Sequence, residues 1–169
     1  MKNLFLTLLF LACPYMLQAQ NDLTLLDEAQ TSYKVAGKFV AEMKSSDGMS
    51  KFFLAYMEKE KTFKVTEVFF DTENTLTGIT VVSMPLKAMN FQTDGYGSRV
   101  EMSENQYYGK GEFAQLTLLC KNQQSCFTQE TINVSAPTDV TKRQESYATY
   151  YFSKKEVAES VLKEFASKK

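Results

Sequence analysis

The residues with the clearest chemistry are Cys120 and Cys126, which have five residues between them and lie in a polar segment between two apolar stretches. Residues 111–134, which contain both cysteines, are predicted to form two strands of one hairpin around which the rest of the chain is organised. Two cysteines that face each other across a turn in an exported protein form a disulfide. The alternatives are a redox pair or a zinc site. We expect a structural disulfide, because the spacing is not C-x-x-C and the chain has no histidine.

A set of tyrosines could form a recognition surface. They lie in or near the glycine-rich residues 86–111 and on the last predicted strand: Tyr96, Tyr107, Tyr108, Tyr147 and Tyr151. Tyrosine side chains are large, rigid and partly polar, which suits contact with a protein or glycan partner. The alternative is that Tyr147 and Tyr151 only occupy the outer face of their strand.

The sequence carries no recognisable catalytic or metal-binding motif. Without histidine, the usual serine and cysteine nucleophile arrangements and most zinc sites are excluded. Asp71, Glu73 and Asn74 could offer oxygen ligands to calcium, but the rest of an EF-hand loop is missing. Asp94, Glu101 and Glu104 could serve in glycoside hydrolysis, but nothing in the sequence fixes their separation. We therefore predict no catalytic residue, no cofactor and no metal site.

The first 19 residues have the build of a secretory signal peptide. Lys2 precedes an apolar run over residues 4–12, and a small residue, Ala19, ends the segment. We expect cleavage after Ala19 and a periplasmic or secreted protein. Cleavage before Cys13, which would leave a lipidated N-terminus, is the alternative. The apolar run is too short to span a bilayer, so no transmembrane segment is predicted.

Residues 20–169 are predicted to form a single domain. They number 150, with 18 basic and 20 acidic side chains. A chain of this length can bury a sizeable core. Its near-neutral charge, without a long basic run, gives no electrostatic case for binding nucleic acid or an anionic membrane surface.

The domain is predicted to begin and end with a helix. Apolar residues at steps of three and four predict an amphipathic helix over residues 24–44: Leu26, Ala29, Tyr33, Ala36, Val40 and Met43. The same spacing predicts a C-terminal helix that reaches Ser167.

Between the helices the apolar period changes to two, which predicts strands. They are expected at residues 51–58, 62–70, 75–84, 98–102 and 146–152, in addition to the disulfide hairpin. In the second strand, a bulge near Thr66 and Glu67 would keep four apolar residues on one inner face: Phe63, Val65, Val68 and Phe70. Residues 133–145 are polar and are predicted to be a loop. In the last strand Ala148, Tyr150 and Phe152 are expected to face inward.

The predicted fold is α+β. About seven antiparallel strands would form a strongly curved sheet or a partly closed β-barrel, with an N-terminal helix and a C-terminal capping helix. The order of strands, hairpin, last strand and helix resembles the pleckstrin-homology-like barrel. The Leu-Cys-x5-Cys-Phe hairpin is similar to that of small exported Bacteroidota-type proteins of unassigned function. The mixed turn over residues 58–61 differs from the basic first hairpin of phosphoinositide-binding members, so no lipid site is carried over.

Three functions remain open from the sequence. The first is a noncatalytic binding module of the bacterial cell envelope that presents residues 86–111 and the tyrosines to a protein or glycan. The second is a carrier of a small apolar ligand between sheet and helix, which requires a cavity lined by five residues: Phe39, Phe52, Leu54, Tyr56 and Met89. The third is a histidine-free hydrolase. The absence of catalytic motifs favours the binding module.

Overall fold

The computed structural model describes residues 23–26, 33–92, 95–104, 108–109 and 111–169. The predicted signal peptide, with its cleavage site after Ala19 and the alternative site at Cys13, lies outside these residues, as do Asp94 and Tyr107. Within the described ranges, every helix is too short or too polar to cross a membrane.

The described chain consists mainly of strands and ends in one α-helix. The strands are β1 (Leu23–Leu26), β2 (Tyr33–Ala36), β3 (Lys38–Ser45), β4 (Gly48–Met57), β5 (Thr62–Phe70), β6 (Leu76–Pro85), β7 (Arg99–Glu104), β8 (Glu112–Leu119), β9 (Phe127–Asn133), β10 (Ala136–Glu145) and β11 (Tyr147–Phe152), and the helix is α1 (Lys155–Ser167). β5 coincides with the strand predicted over residues 62–70, and α1 ends at the predicted residue. The alternation of apolar side chains was therefore a sound guide to these elements.

The strands form two main sheets and one short pair. The larger sheet has six strands in the order β10-β9-β6-β5-β4-β3, and the smaller has three in the order β11-β8-β7. β1 pairs with β2, and every pairing is antiparallel. The predicted antiparallel fold with a C-terminal helix is confirmed. The two sheets do not close into a barrel, and their nine strands exceed the predicted seven.

The N-terminal helix predicted over residues 24–44 is wrong wherever the structure describes this segment. β1, β2 and β3 lie there instead, and β3 pairs with β4 at one edge of the six-stranded sheet. A bulge between Phe39 and Ala41 shifts the register of β3. Because of it, the consecutive residues Val40 and Ala41 both pack against the main core. The apolar spacing that resembled a helical stripe therefore belongs in part to a bulged edge strand.

The six-stranded sheet buries apolar side chains on both faces. Phe63 and Val65 of β5 belong to the main core, whereas Val68 and Phe70 belong to a smaller cluster on the opposite face. The predicted bulge in the middle of β5 is wrong, because β5 pairs with β4 without a register shift. Alternate residues of β5 point to opposite faces of the sheet, and both sets are buried. Regular alternation leaves Glu67 on the main-core face.

The main core lies between one face of the six-stranded sheet, the three-stranded sheet and α1. Phe52 of β4 contacts the rings of Tyr150 and Phe152 of β11 edge-on, at centroid distances of 4.8 and 5.1 Å. Phe63 of β5 packs on Phe165 of α1, with centroids 4.2 Å apart. Each such buried ring contributes roughly 1.5–3 kcal/mol by its removal from water. These contacts therefore fix β11 and α1 over the large sheet.

Cys120 and Cys126 form the predicted disulfide, with an S–S distance of 2.03 Å. The strands on either side of it, however, do not pair with each other. β8 belongs to the three-stranded sheet and β9 to the six-stranded sheet. The prediction of one hairpin over residues 111–134 is therefore wrong in its pairing, because the polar segment carries the chain from one sheet to the other.

The disulfide lies where two segments of the chain cross between the sheets. The backbone N–H of Cys120 donates to the carbonyl of Ser146 at 2.9 Å, and that of Cys126 donates to the carbonyl of Glu145 at 3.1 Å. Glu145 and Ser146 join β10 of the large sheet to β11 of the small sheet. Closing so short a loop contributes about 2 kcal/mol in the chain-entropy view. The bond thus holds both crossings between the sheets together.

The polar stretch over residues 133–145 is largely a strand and not the predicted loop. β10 pairs with β9 and forms the second edge of the six-stranded sheet. Its register is irregular between Ala136 and Val140, a segment that contains Pro137. Farther along, Lys142 forms an ion pair with Glu130 of β9 at 2.8 Å. A polar, proline-containing edge strand is one way in which sheets avoid pairing with other chains.

Candidate functional site

The predicted tyrosine surface is divided among separate places. Tyr96 lies in the loop before β7 with 78% of its surface exposed, and Tyr147 starts β11 with 56% exposed. Tyr108 and Tyr151 contact each other with ring centroids 5.4 Å apart. Tyr147 and Tyr151 are about 13 Å apart along β11. The structure brings Tyr108 and Tyr151 together, but it does not gather the described tyrosines into one patch.

The described acidic residues considered for calcium and for hydrolysis lie in different elements. One carboxylate oxygen of Asp71 accepts hydrogen bonds from the backbone N–H groups of Glu73 and Thr75 at 3.0 and 2.8 Å, which stabilises the turn between β5 and β6. Glu101 lies on β7 and pairs with Arg99 at 3.0 Å. In the part of the chain that the structure describes, no three acidic or cysteine side chains gather as a metal site would require.

A polar groove of about 380 Å³ opens between β11 and the main-core face of the six-stranded sheet. It lies beside the bend at residues 145–146, where the chain leaves the large sheet for the small one. Its polar lining comes from β5, β6, β9, β10 and β11, and includes Glu67, Thr80, Gln129, Glu145, Tyr147 and Tyr150. The groove therefore depends on both sheets for its walls.

Glu67 lies at the floor of this groove because of its place in the sheet. It is opposite Phe52 of β4 and Thr80 of β6 in the strand pairing, so its side chain shares a face with Phe52 and the main core. Burial raises the pKa of Glu67, while a hydrogen bond from Ser50 acts in the opposite direction. A carboxyl group in such a position is more readily neutral than one at the surface.

Tyr150 forms the inner wall of the groove. Only 6% of its surface is exposed, and its ring packs edge-on against Phe52. Its hydroxyl is buried and has no hydrogen-bond partner, the one side-chain oxygen or nitrogen of that kind in the described part of the chain. Burial raises the pKa of Tyr150 well above its ordinary value, and the negative charge of Glu67 adds to that rise. The groove thus holds an unsatisfied hydroxyl together with a partly buried carboxyl group.

Sequence reasoning did not identify Glu67, and it placed Tyr150 on the inner face of the last strand. A signal for Glu67 was present, because strict alternation along β5 places it on the same face as Phe63 and Val65. The predicted bulge turned Glu67 away from that face and so removed the signal. A single carboxyl among inward-facing apolar residues is a reason to suspect a functional site.

We expect Glu67→Gln to make the protein more stable than its parent at neutral pH. The raised pKa means that the folded state keeps a proton which the unfolded chain releases as the pH rises above the ordinary value of 4.5. The free energy of unfolding of the parent therefore decreases as the pH increases from 4.5 to the raised pKa of Glu67. At pH values above that pKa it stays at the lower level. Glutamine does not ionise, so the free energy of unfolding of the variant lacks this decrease with pH.

Urea denaturation of both proteins between about pH 4 and about pH 8 measures this difference. The advantage of Glu67→Gln should grow as the pH increases. Glu130→Gln removes the same charge from the opposite face of the sheet, where Glu130 pairs with Lys142, and should give no such trend. An advantage that is constant or shrinks with increasing pH would contradict the assignment of a raised pKa to Glu67.

A second groove, of about 480 Å³, lies between α1 and the segment that leads into β7. Its apolar lining includes Phe91, Val100, Leu162 and Ala166, and Arg99 and Lys163 also line it. By contrast, Phe52, Leu54 and Met89, which were expected to line a carrier cavity, are buried in the main core, and Phe39 is half exposed. The space beside the helix is therefore not the one that the sequence predicted.

Neither models of protein families, nor curated proteins, nor solved structures match this chain. Its function is accordingly inferred from the chemistry of the grooves.

Proposed function

We propose that the protein is a noncatalytic binding module and that the groove between β11 and the six-stranded sheet is its ligand site. The observation that carries this proposal is the Tyr150 hydroxyl, which is buried in the groove wall without a hydrogen-bond partner. A buried polar group left unpaired costs roughly 1–3 kcal/mol. A ligand that hydrogen-bonds to this hydroxyl would offset that cost on binding.

Binding is favoured over catalysis by the kind of residues in the groove. Its polar side chains are carboxyl, amide and hydroxyl groups, which orient and hold a ligand. The chain has no histidine to serve as a general base near neutral pH. Tyr147, an exposed tyrosine in the groove lining, offers a ring on which a ligand could stack.

The proposed setting is the bacterial cell envelope, with export by the N-terminal segment and lipidation at Cys13 as the alternative. The disulfide between Cys120 and Cys126 is compatible with an oxidising compartment. We keep the pleckstrin-homology-like relationship as a proposal as well. It is supported by the antiparallel strands followed by a C-terminal helix, and no lipid site is assigned by it.

Tyr150→Phe tests the proposed function. The variant keeps the ring that packs on Phe52 and removes only the unpaired hydroxyl. We expect the free energy of unfolding of the ligand-free protein to be unchanged or to rise by about 1 kcal/mol. Binding in the groove should weaken, because the ligand loses its hydrogen bond to the hydroxyl. Urea denaturation measures the first effect, and amide chemical-shift mapping with a library of neutral, cationic and anionic fragments measures the second.

Tyr151→Phe is the matched control. It removes a hydroxyl from the next residue, whose ring packs on Tyr108 and does not line the groove. This variant should bind the same fragments as the parent protein. If Tyr150→Phe destabilises the ligand-free protein by more than about 1 kcal/mol, the hydroxyl makes a structural hydrogen bond and the basis of the proposal is lost. If no fragment changes the chemical shifts of the amides around the groove, the proposed site is rejected.

A second candidate function is a carrier of a small apolar ligand, which the groove beside α1 favours. Phe91, Val100 and Leu162 give this groove an apolar wall of a kind that suits such a ligand. The two candidates differ in their response to substitution. A carrier of this kind would keep its ligand in Tyr150→Phe and lose it in Leu162→Arg, whereas the proposed binding module would behave in the opposite way.

A further inference from the structure

Among the described residues, the charged side chains that line the groove between β11 and the six-stranded sheet are all acidic. Glu67 lies at the floor and Glu145 at the end next to the bend, and no lysine or arginine lines the groove in the described part of the chain. Arg143 lies two residues before Glu145 on the same face of β10, and its side chain is exposed. Acidic residues alone do not define a site. Here the groove also contains the side chain of Tyr150, which is more than nine-tenths buried and whose hydroxyl has no hydrogen-bond partner.

We propose that the group recognised in this groove is the protonated amine of a small ligand, an inference that rests on the proposed binding function. An ammonium group has three N–H donors and no acceptor. It could donate to the Glu67 carboxylate and to the hydroxyl oxygen of Tyr150. The ring of Tyr147, which also lines the groove, could contribute a cation–π contact.

An amine accounts for both unusual groups better than the alternatives do. A neutral hydroxyl could satisfy Tyr150, but it would leave the charge of Glu67 uncompensated in a partly buried position. A carboxylate ligand would be repelled by Glu67 and Glu145. A protonated amine pairs with Glu67 and also donates to the hydroxyl oxygen of Tyr150. Its binding favours the ionised form of Glu67, so an amine should bind more tightly as the pH increases from about 5 to about 7.

Three probes that share one ring and differ in charge test this inference: tyramine, the neutral 4-ethylphenol and the anionic 3-(4-hydroxyphenyl)propanoate. Each is titrated into the full-length folded protein while amide chemical shifts are recorded. Fragments of this size bind at about millimolar concentrations. We expect tyramine to bind in the groove at least about tenfold more tightly than 4-ethylphenol, and the propanoate not to bind there.

Glu67→Gln should weaken tyramine binding by roughly tenfold to a hundredfold, because it removes a charge-assisted hydrogen bond. Glu130→Gln, which removes a carboxylate from the other face of β9, should leave that binding unchanged. In the parent protein, tighter binding of tyramine with increasing pH gives a readout that does not depend on the variant folding.

Equal binding of tyramine and 4-ethylphenol, or unchanged tyramine binding by Glu67→Gln, would overturn the amine inference while leaving a ligand site in place. Absence of tyramine binding in the groove would also overturn it. The proposed binding function is judged separately, by the fragment library and Tyr150→Phe. A groove that binds fragments but not tyramine would thus reject only the amine, whereas a groove that binds nothing would reject both.

Discussion

Replacing Phe165 by alanine is expected to lower the free energy of unfolding by about 3 to 5 kcal/mol. Phe165 is fully buried on the inner side of α1, and its ring packs on Phe63 of β5 with centroids 4.2 Å apart. Truncation removes this apolar area from the core and leaves a cavity that the surrounding sheets can fill only in part. The same truncation should loosen α1 from β8, which it contacts.

Urea denaturation of the variant, with Phe39→Ala as the matched control, measures this effect. Phe39 is 50% exposed and contacts Phe53 edge-on at 5.7 Å, so its loss should cost about 1 kcal/mol or less. A cost for Phe165→Ala no larger than that for Phe39→Ala would mean that α1 is not part of the cooperative core. In that case the groove beside α1 would be open to a larger ligand than its present volume allows.

Local sequence signals predicted the elements whose side chains alternate regularly or follow one helical stripe. β5 and α1 are such elements, and the disulfide was predicted from the spacing of Cys120 and Cys126 together with the expectation of export. These predictions succeed because the period of two and the period of 3.6 are set by backbone geometry within a single element. They need no knowledge of which elements pair.

Predictions that depended on pairing were less successful. β8 and β9 follow each other closely in the sequence, which favours a hairpin, but they pair in different sheets. β10 is polar because it is an edge strand, and polar composition alone cannot distinguish an edge strand from a loop. The first predicted helix failed for a similar reason, since a bulge between Phe39 and Ala41 disturbed the alternation that marks a strand.

The candidate site was the part least accessible from the sequence. Glu67 and Tyr150 are 83 residues apart in the chain and come from different sheets. Their proximity follows from the packing of β11 over the large sheet, which the sequence does not specify directly. Tyr147 was predicted as a recognition residue and does line the groove. The other predicted tyrosines that the structure describes, Tyr96, Tyr108 and Tyr151, lie outside its lining.

The second large effect is expected for Gly48→Ala, which should destabilise the protein by about 3 kcal/mol or more. Gly48 ends the turn between β3 and β4 and has a φ of +145°. A side chain is strained in this backbone conformation. In addition, a Cβ at this position would overlap the carbonyl oxygen of Phe70 in β5. Relief of that overlap requires β4 to move away from β5 at the end of their pairing, three residues along β5 from Glu67.

Two other glycines separate the contributions of strain and of close approach. Gly111→Ala places a side chain at a φ of +125° with no atom within 4 Å, so it should cost about 1 to 2 kcal/mol from strain alone. Gly78→Ala in β6 meets only ordinary contacts, the nearest at 3.6 Å, and should change stability by less than about 1 kcal/mol. Urea denaturation of the three variants should rank the losses as Gly48, Gly111 and Gly78. If Gly48→Ala costs no more than Gly111→Ala, the turn adjusts without displacing β5, and the position of Glu67 does not depend on it.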